Sequence, residues 1–213
     1  MKIFVMAGTE DGRKLAEILK SGKFTALVDS SHPYAQEASQ NALKACTMTN
    51  ISYIRFERDS AKFDALKLIH VENYEQAALK AAELGKNIFL TTGSKTLKIF
   101  VELLKGCNIT ARVLPTAEVL AQCETLGLTP KQIIAVQGPF STEMNVEMFR
   151  HAAAEVIVTK DSGQIGGTDT KIAAAQILNL PVIMIDRPKI FYPNVAATFE
   201  EVLNLLKNQS SIM

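Results

Sequence analysis

The chain has 213 residues, 47% of them hydrophobic, and its 23 Lys and Arg against 22 Asp and Glu leave a formal net charge of +1. That length and apolar share supply one large core or two small ones. The balanced charge lacks the basic stripe of a nucleic-acid binder, so no nucleic-acid partner is expected. No apolar run approaches the ~18 residues of a membrane span, and the first run is too short for a signal sequence. Cys46, Cys107 and Cys123 lie far apart, as do His32, His70 and His151. Neither a disulfide framework nor a metal site is expected, and a cytoplasmic protein with no membrane partner is the natural reading.

Short apolar runs, each ending in a turn, follow one another along the chain. Residues 3–7 end at Gly8-Thr9-Glu10-Asp11-Gly12, and residues 26–28 end at Asp29-Ser30-Ser31-His32-Pro33. Residues 88–90 end at Thr91-Thr92-Gly93-Ser94, and residues 133–136 end at Gln137-Gly138-Pro139-Phe140. Residues 156–158 run into Thr159-Lys160-Asp161-Ser162-Gly163, and residues 182–185 end at Asp186-Arg187-Pro188. Continuous rather than alternating apolar runs suit strands buried on both faces of a parallel sheet.

Helical patterns separate the runs, over residues 13–20, 74–84, 97–104, 144–153, 168–178 and 199–207. Strand–turn–helix alternation predicts an α/β fold with mostly parallel sheets. The stretch 112–132 is less regular, punctuated by Pro115, Gly127 and Pro130. A domain boundary is therefore expected near residue 110, giving an N-terminal Rossmann-like domain over 1–110 and a C-terminal one over 111–213. The last helix is expected to cross back to the first half.

Ligands of open parallel sheets collect outside the carboxyl ends of the strands, where helix N-termini and glycine-bearing turns offer backbone N–H groups. The set of turns predicts a ligand cleft lined from both halves. The first turn is a poor dinucleotide fingerprint, because Met6 and Asp11 stand where G-x-G-x-x-G needs glycine. The turn from Lys160 to Thr168 is a better anion cradle, with one lysine, two hydroxyls and three glycines before a helix. Lys171 sits in that helix's first turn, where a cation opposes the dipole. His32 and Tyr34 flank Pro33 just past a strand and could supply a proton. Arg55 and Arg58 could hold carboxylates or serve as edge-strand solubility charges. Arg112 in an apolar context needs an anionic partner, from protein or ligand. Three readings stay open on the residues alone: an NAD(P)-dependent reductase, a tetrapyrrole-processing synthase without a redox cofactor, and a non-catalytic nucleotide-sensing module.

Six motifs occur in order: residues 8–13, 29–35, 91–94, 112–115, 137–141 and 160–163. Together they resemble the precorrin-6A and cobalt-precorrin-6A reductases, the CobK/CbiJ family of cobalamin biosynthesis. The resemblance runs from Met1 to about Pro188. It implies two Rossmann-like halves and an NADPH-dependent reduction of one double bond in a corrin precursor, the small-molecule partner. The metal of such a substrate belongs to the macrocycle, and no protein metal site is implied.

Carried over by motif, Gly8, Thr9, Thr92, Gly93, Gly138, Pro139, Phe140, Ser162 and Gly163 are expected to bind the cofactor. Arg55, Arg58, Arg112, Lys160 and Arg187 are expected to hold substrate carboxylates, with Lys160, His32 or Tyr34 in the catalytic role. The resemblance also implies a strand–helix–strand stretch before the strand leading to Asp29, where only residues 21–25 intervene here. A segment is therefore expected to be absent near 22–26. It would leave a Cα step well above ~3.8 Å and take with it part of the site for the adenosine ribose or its 2′-phosphate.

Overall fold

The computed structural model describes residues 2–6, 23–57, 67–162 and 167–210. Gly8, Thr9, Arg58, Gly163, the expected helix 13–20 and the start of the expected break at 22–26 lie outside the described residues. The chain forms two compact units, one of Met1–Asp59 with Pro188–Met213 and one of Ser60–Arg187. The boundary expected near residue 110 is corrected by this division. Residue 110 lies in the middle of a six-residue strand that is hydrogen-bonded on both sides, so cutting there would split a sheet.

Among the described residues, the first unit holds a four-stranded parallel sheet. Its strands are β1 (Ile3–Met6), β2 (Ala26–Asp29), β3 (Ser52–Phe56) and, returning from the far end of the chain, β10 (Val195–Ala196). They lie in the order β1-β2-β3-β10. β2 pairs directly with β1, Ala26 opposite Ile3, and the Thr25 N–H extends the ladder to the Lys2 carbonyl at 2.8 Å. α1 (Gln36–Thr49) buries only small side chains, Ala38, Ser39, Ala42, Ala45 and Cys46. It stops at Asn50, whose left-handed backbone returns its N–H to helix carbonyls. The last helix, α7 (Phe199–Ser210), packs on β3 and β10, so the chain end does return to the first half.

The second unit is a six-stranded parallel sheet. It contains β4 (Leu68–Val71), β5 (Asn87–Leu90), β6 (Asn108–Val113), β7 (Ile133–Ala135), β8 (Val156–Lys160) and β9 (Val182–Ile185). The order is β4-β9-β8-β5-β6-β7. The helices are α2 (Tyr74–Leu84), α3 (Leu97–Leu103), α4 (Ala117–Thr125), α5 (Thr142–His151) and α6 (Thr168–Ile177). From β5 the chain builds outward through β6 and β7, then α5 carries it back to β8 on the other flank of β5. That reversal makes the β5–β8 boundary the switch point of the sheet, where an open α/β sheet leaves a crevice beyond its carboxyl ends. β8 and β9 are almost wholly buried, as their continuous apolar runs predict. Phe89 and Phe149 meet edge to face at 4.9 Å in the core between sheet and α5.

A buried ion pair is sealed into the first unit. Arg55 is 1% exposed, and its guanidinium lies 3.1 Å from Asp29 and 3.0 Å from Glu57. Asp29 also accepts from the Ser31 N–H, the Ser39 hydroxyl and the Tyr53 hydroxyl. Arg55 is thus neither an edge-strand charge nor a free carboxylate receptor. β10 covers β3, and protein carboxylates meet the guanidinium. Its assignment to substrate binding is corrected on that ground.

Burial raises the Asp29 pKa, but the hydrogen bonds from Ser31, Tyr53 and Ser39 outweigh it and hold the carboxyl below its usual 3.8. A carboxylate depressed in the folded state stabilises above its unfolded pKa, and that contribution is lost as pH falls below it. Asp29→Ala leaves a buried guanidinium without its main partner, and about 3–5 kcal/mol of stability should be lost in urea unfolding at neutral pH. The difference between wild type and Asp29→Ala should shrink as the pH drops below 3.8; an unchanged difference would refute the assigned role.

Candidate functional site

A cleft of about 290 Å³ opens in the second unit beyond the carboxyl ends of its strands. Its walls come from the β5 turn (Thr91, Gly93), the end of β6 (Arg112), the turn after β7 (Gly138 to Phe140), α5 (Asn145) and the start of α6 (Gly167, Lys171). Among the residues expected to bind ligand, Gly93, Arg112, Gly138, Pro139 and Phe140 are brought together here.

Local geometry explains the glycines. Gly93 has φ 83° and ψ 179°, a conformation open essentially to glycine alone, and it starts the tight turn into α3. At Gly138 an added Cβ would lie 2.9 Å from the Phe140 ring, so the missing side chain gives the ring its place. Gly167 caps α6 with φ 63°. Thr91 ties the β5 turn to β8, donating its N–H and hydroxyl to the Val158 carbonyl at 2.9 and 3.1 Å. The neighbouring Thr92 hydroxyl is buried and has no hydrogen-bond partner among the described residues.

Arg112 is the central charge. It is 8% exposed and projects from β6 toward α5. One guanidinium nitrogen donates to the Asn145 side-chain carbonyl at 2.7 Å and lies 3.9 Å from the Met148 sulfur. The Phe140 ring lies 4.6 Å from the guanidinium carbon, within cation–π range. Among the described residues no carboxylate pairs with it. Burial alone lowers its pKa to about 10, a measure of how poorly the site compensates the charge.

Two lysines add to the field. Lys171 is 8% exposed, and burial, then the charges of Arg112 and Lys160, lower its pKa to about 8, with Asp169 opposing. Lys160, at the end of β8, is lowered by burial and by Lys95.

The remaining expected residues fall elsewhere. Ser162 shares a 3.2 Å hydrogen bond with Thr168 in the β8 turn. Arg187, after β9, holds Asp161 of that turn in a 3.0 Å ion pair, so it braces the turn. His32 and Tyr34 stand in the first unit after β2, where the Tyr34 N–H donates to His32 Nδ1 at 3.2 Å and the rings are 5.7 Å apart. Asn145 and Thr170 were not legible as site residues. Asn145 is an interior polar position on a helix whose other buried residues are apolar, and that break in the pattern was the available signal.

The family model for precorrin-6x reductase CbiJ/CobK matches residues 2–207. This chain belongs to that family. A cobalt-precorrin-6A reductase from Priestia megaterium is 43% identical over 98% of this chain and 83% of its own length. Another from Methanocaldococcus jannaschii is 38% identical over 93% of this chain and 78% of its own. A solved structure titled CobK precorrin-6A reductase superposes with a TM-score of 0.79 at 24% identity, over 97% of this chain and 86% of that one. The α/β fold with two parallel sheets and the oxidoreductase class acting on a CH–CH bond follow for this family member. The synthase and sensor readings are set aside by that membership. No described helix is long and apolar enough to cross a membrane.

Lys171 carries its charge below about pH 8 and loses it above. An anionic ligand in this cleft should therefore bind less tightly as pH rises from about 7 to 9, seen as a rising KM. Lys171→Arg, which stays charged, should flatten that rise; an equal rise in the variant would contradict the assignment.

Proposed function

We propose that the chain reduces one carbon–carbon double bond of cobalt-precorrin-6A, or of precorrin-6A, with NADPH as reductant. The observation that carries this reading is a cleft with buried cations at the switch point of a sheet in a member of this reductase family. The names of the relatives at 43% and 38% identity favour the cobalt complex. Free buried thiols at Cys46 and Cys123 agree with a cytoplasmic enzyme.

The buried cations of the cleft suit the anionic groups that a nicotinamide dinucleotide and a polycarboxylate macrocycle both carry. The partnerless Thr92 hydroxyl beside Gly93 offers a hydrogen bond to a bound ligand, which an interior hydroxyl otherwise lacks. When bound, the dinucleotide supplies hydride to one carbon of the macrocycle. The protein binds, orients and excludes water, because the conjugated ring itself accepts the electrons. Gly8, Thr9 and Gly163 belong to the proposed cofactor set, with Thr92, Gly93, Gly138, Pro139, Phe140 and Ser162. Arg112 and Lys160 hold substrate carboxylates as charge-assisted partners, and Arg58 belongs to the same proposed set. The neighbouring carbon takes a proton from Lys160, whose burial makes its ammonium a stronger acid than usual, with His32 and Tyr34 as the other proposed donors. Solvent can replace Lys160 as donor, but a water molecule supplies no positive charge for a carboxylate.

Mixing the protein with NADPH and cobalt-precorrin-6A should oxidise one NADPH per macrocycle, and deuteride on the nicotinamide should appear on a ring carbon. NADPH binding without oxidation would refute the reading. Lys160→Ala should raise KM about tenfold or more while kcat changes less; an unchanged KM with collapsed kcat would assign Lys160 to chemistry instead.

A further inference from the structure

The cleft of the second unit treats its arginine unusually. A buried guanidinium is generally met by a carboxylate, as Arg55 is met by Asp29 and Glu57 in the first unit. Arg112 is equally committed in geometry but, among the described residues, is met only by neutral groups: the Asn145 amide, the Met148 thioether and the Phe140 ring. Asn145 is wholly buried and is itself fixed from two sides. Its amide nitrogen donates to the Ser141 carbonyl at 2.9 Å and to the Thr170 hydroxyl at 3.3 Å. It joins the N-terminal turn of α5 to α6, the helix that carries Lys171 into the same cleft.

We propose that Asn145 is a charge-preserving positioning residue, which aims Arg112 while leaving its charge unspent, so that Arg112 and Lys171 form a two-cation receptor for one anionic group of the ligand. The inference rests on the proposed reductase function and adds the class of group the cleft takes. An aspartate at position 145 could hold the guanidinium as well, but it would cancel the charge that the ligand needs. A neutral amide leaves a buried cation uncompensated, a cost that an incoming anion relieves. The Phe140 ring closes one face of the guanidinium and leaves its remaining N–H groups for the ligand. A carboxylate of the macrocycle and a phosphate of the dinucleotide share the required chemistry.

The decisive variant is Asn145→Asp in the full chain. Affinity should be read by titration with uroporphyrin, an octacarboxylate tetrapyrrole, and separately by calorimetry with NADPH. Asn145→Asp should weaken one of the two probes at least tenfold and flatten the salt dependence of that affinity, since one cation is neutralised. Loss confined to uroporphyrin assigns a carboxylate, and loss confined to NADPH assigns a phosphate. A folded variant that binds both probes as the wild type does would overturn the proposal.

Asn145→Asp also removes the amide donor to Ser141, so a second pair keeps the test open if it misfolds. Met148→Glu brings a carboxylate to Arg112 from the other side, and Met148→Gln is its neutral control. Met148→Glu should reproduce the loss and Met148→Gln should not; equal effects of the two would overturn the proposal. Turnover by the wild-type protein tests the reductase reading separately, so its failure is distinguishable from a null result in the variants.

Discussion

A guanidinium that is buried but not neutralised organises the second unit. Arg112 leaves the sheet near the end of β6, where neighbouring strands on both sides hold its backbone. Its charge costs free energy in an apolar wall, and the fold tolerates that cost with a neutral amide and an aromatic ring rather than a carboxylate. Lys171 approaches from α6, against the dipole of its own helix. Two cations lining one cleft, with no carboxylate on Arg112 among the described residues, make it a place where an anion gains more than it would in water. The chain reversal between β7 and β8 puts this charge at a crevice beyond the carboxyl ends of the strands.

The first unit shows the same residue type used to the opposite end. Arg55 and Asp29 sit opposite each other on neighbouring strands, and Tyr53, Ser31 and Ser39 use up the remaining carboxylate lone pairs. Tyr192 stacks on Tyr53 and covers the guanidinium, which closes the network from above. This ion pair is satisfied internally and has no charge left for a ligand. Sequence alone could not separate the two arginines, because each lies among apolar residues and the distinction lies in a partner 26 or 33 positions away in the chain.

Much of the fold was legible because parallel strands buried on both faces read as unbroken apolar runs. β2, β5, β8 and β9 fall at or within two residues of where those runs lie. The missed elements lack that signal. α1 buries alanines, a serine and a cysteine, too small to show a 3.6-residue stripe of large side chains. β6 carries Asn, Thr and Arg among its apolar residues, and the prolines and glycine that follow it masked α4. The boundary expected near 110 falls inside one unit, because Pro115, Gly127 and Pro130 punctuate the connection from β6 through α4 to β7. The site was half legible. Glycine turns, Arg112 and Lys171 could be read locally, whereas Asn145 and Thr170 acquire meaning only when α5 and α6 pack together.

The most direct test of this account is a crystal structure of the chain with NADPH and the reduced macrocycle bound. It should place a carboxylate or phosphate oxygen about 3 Å from the Arg112 guanidinium, with the Asn145 contact retained. Both ligands bound elsewhere, with Arg112 still facing only Asn145, Met148 and Phe140, would contradict it.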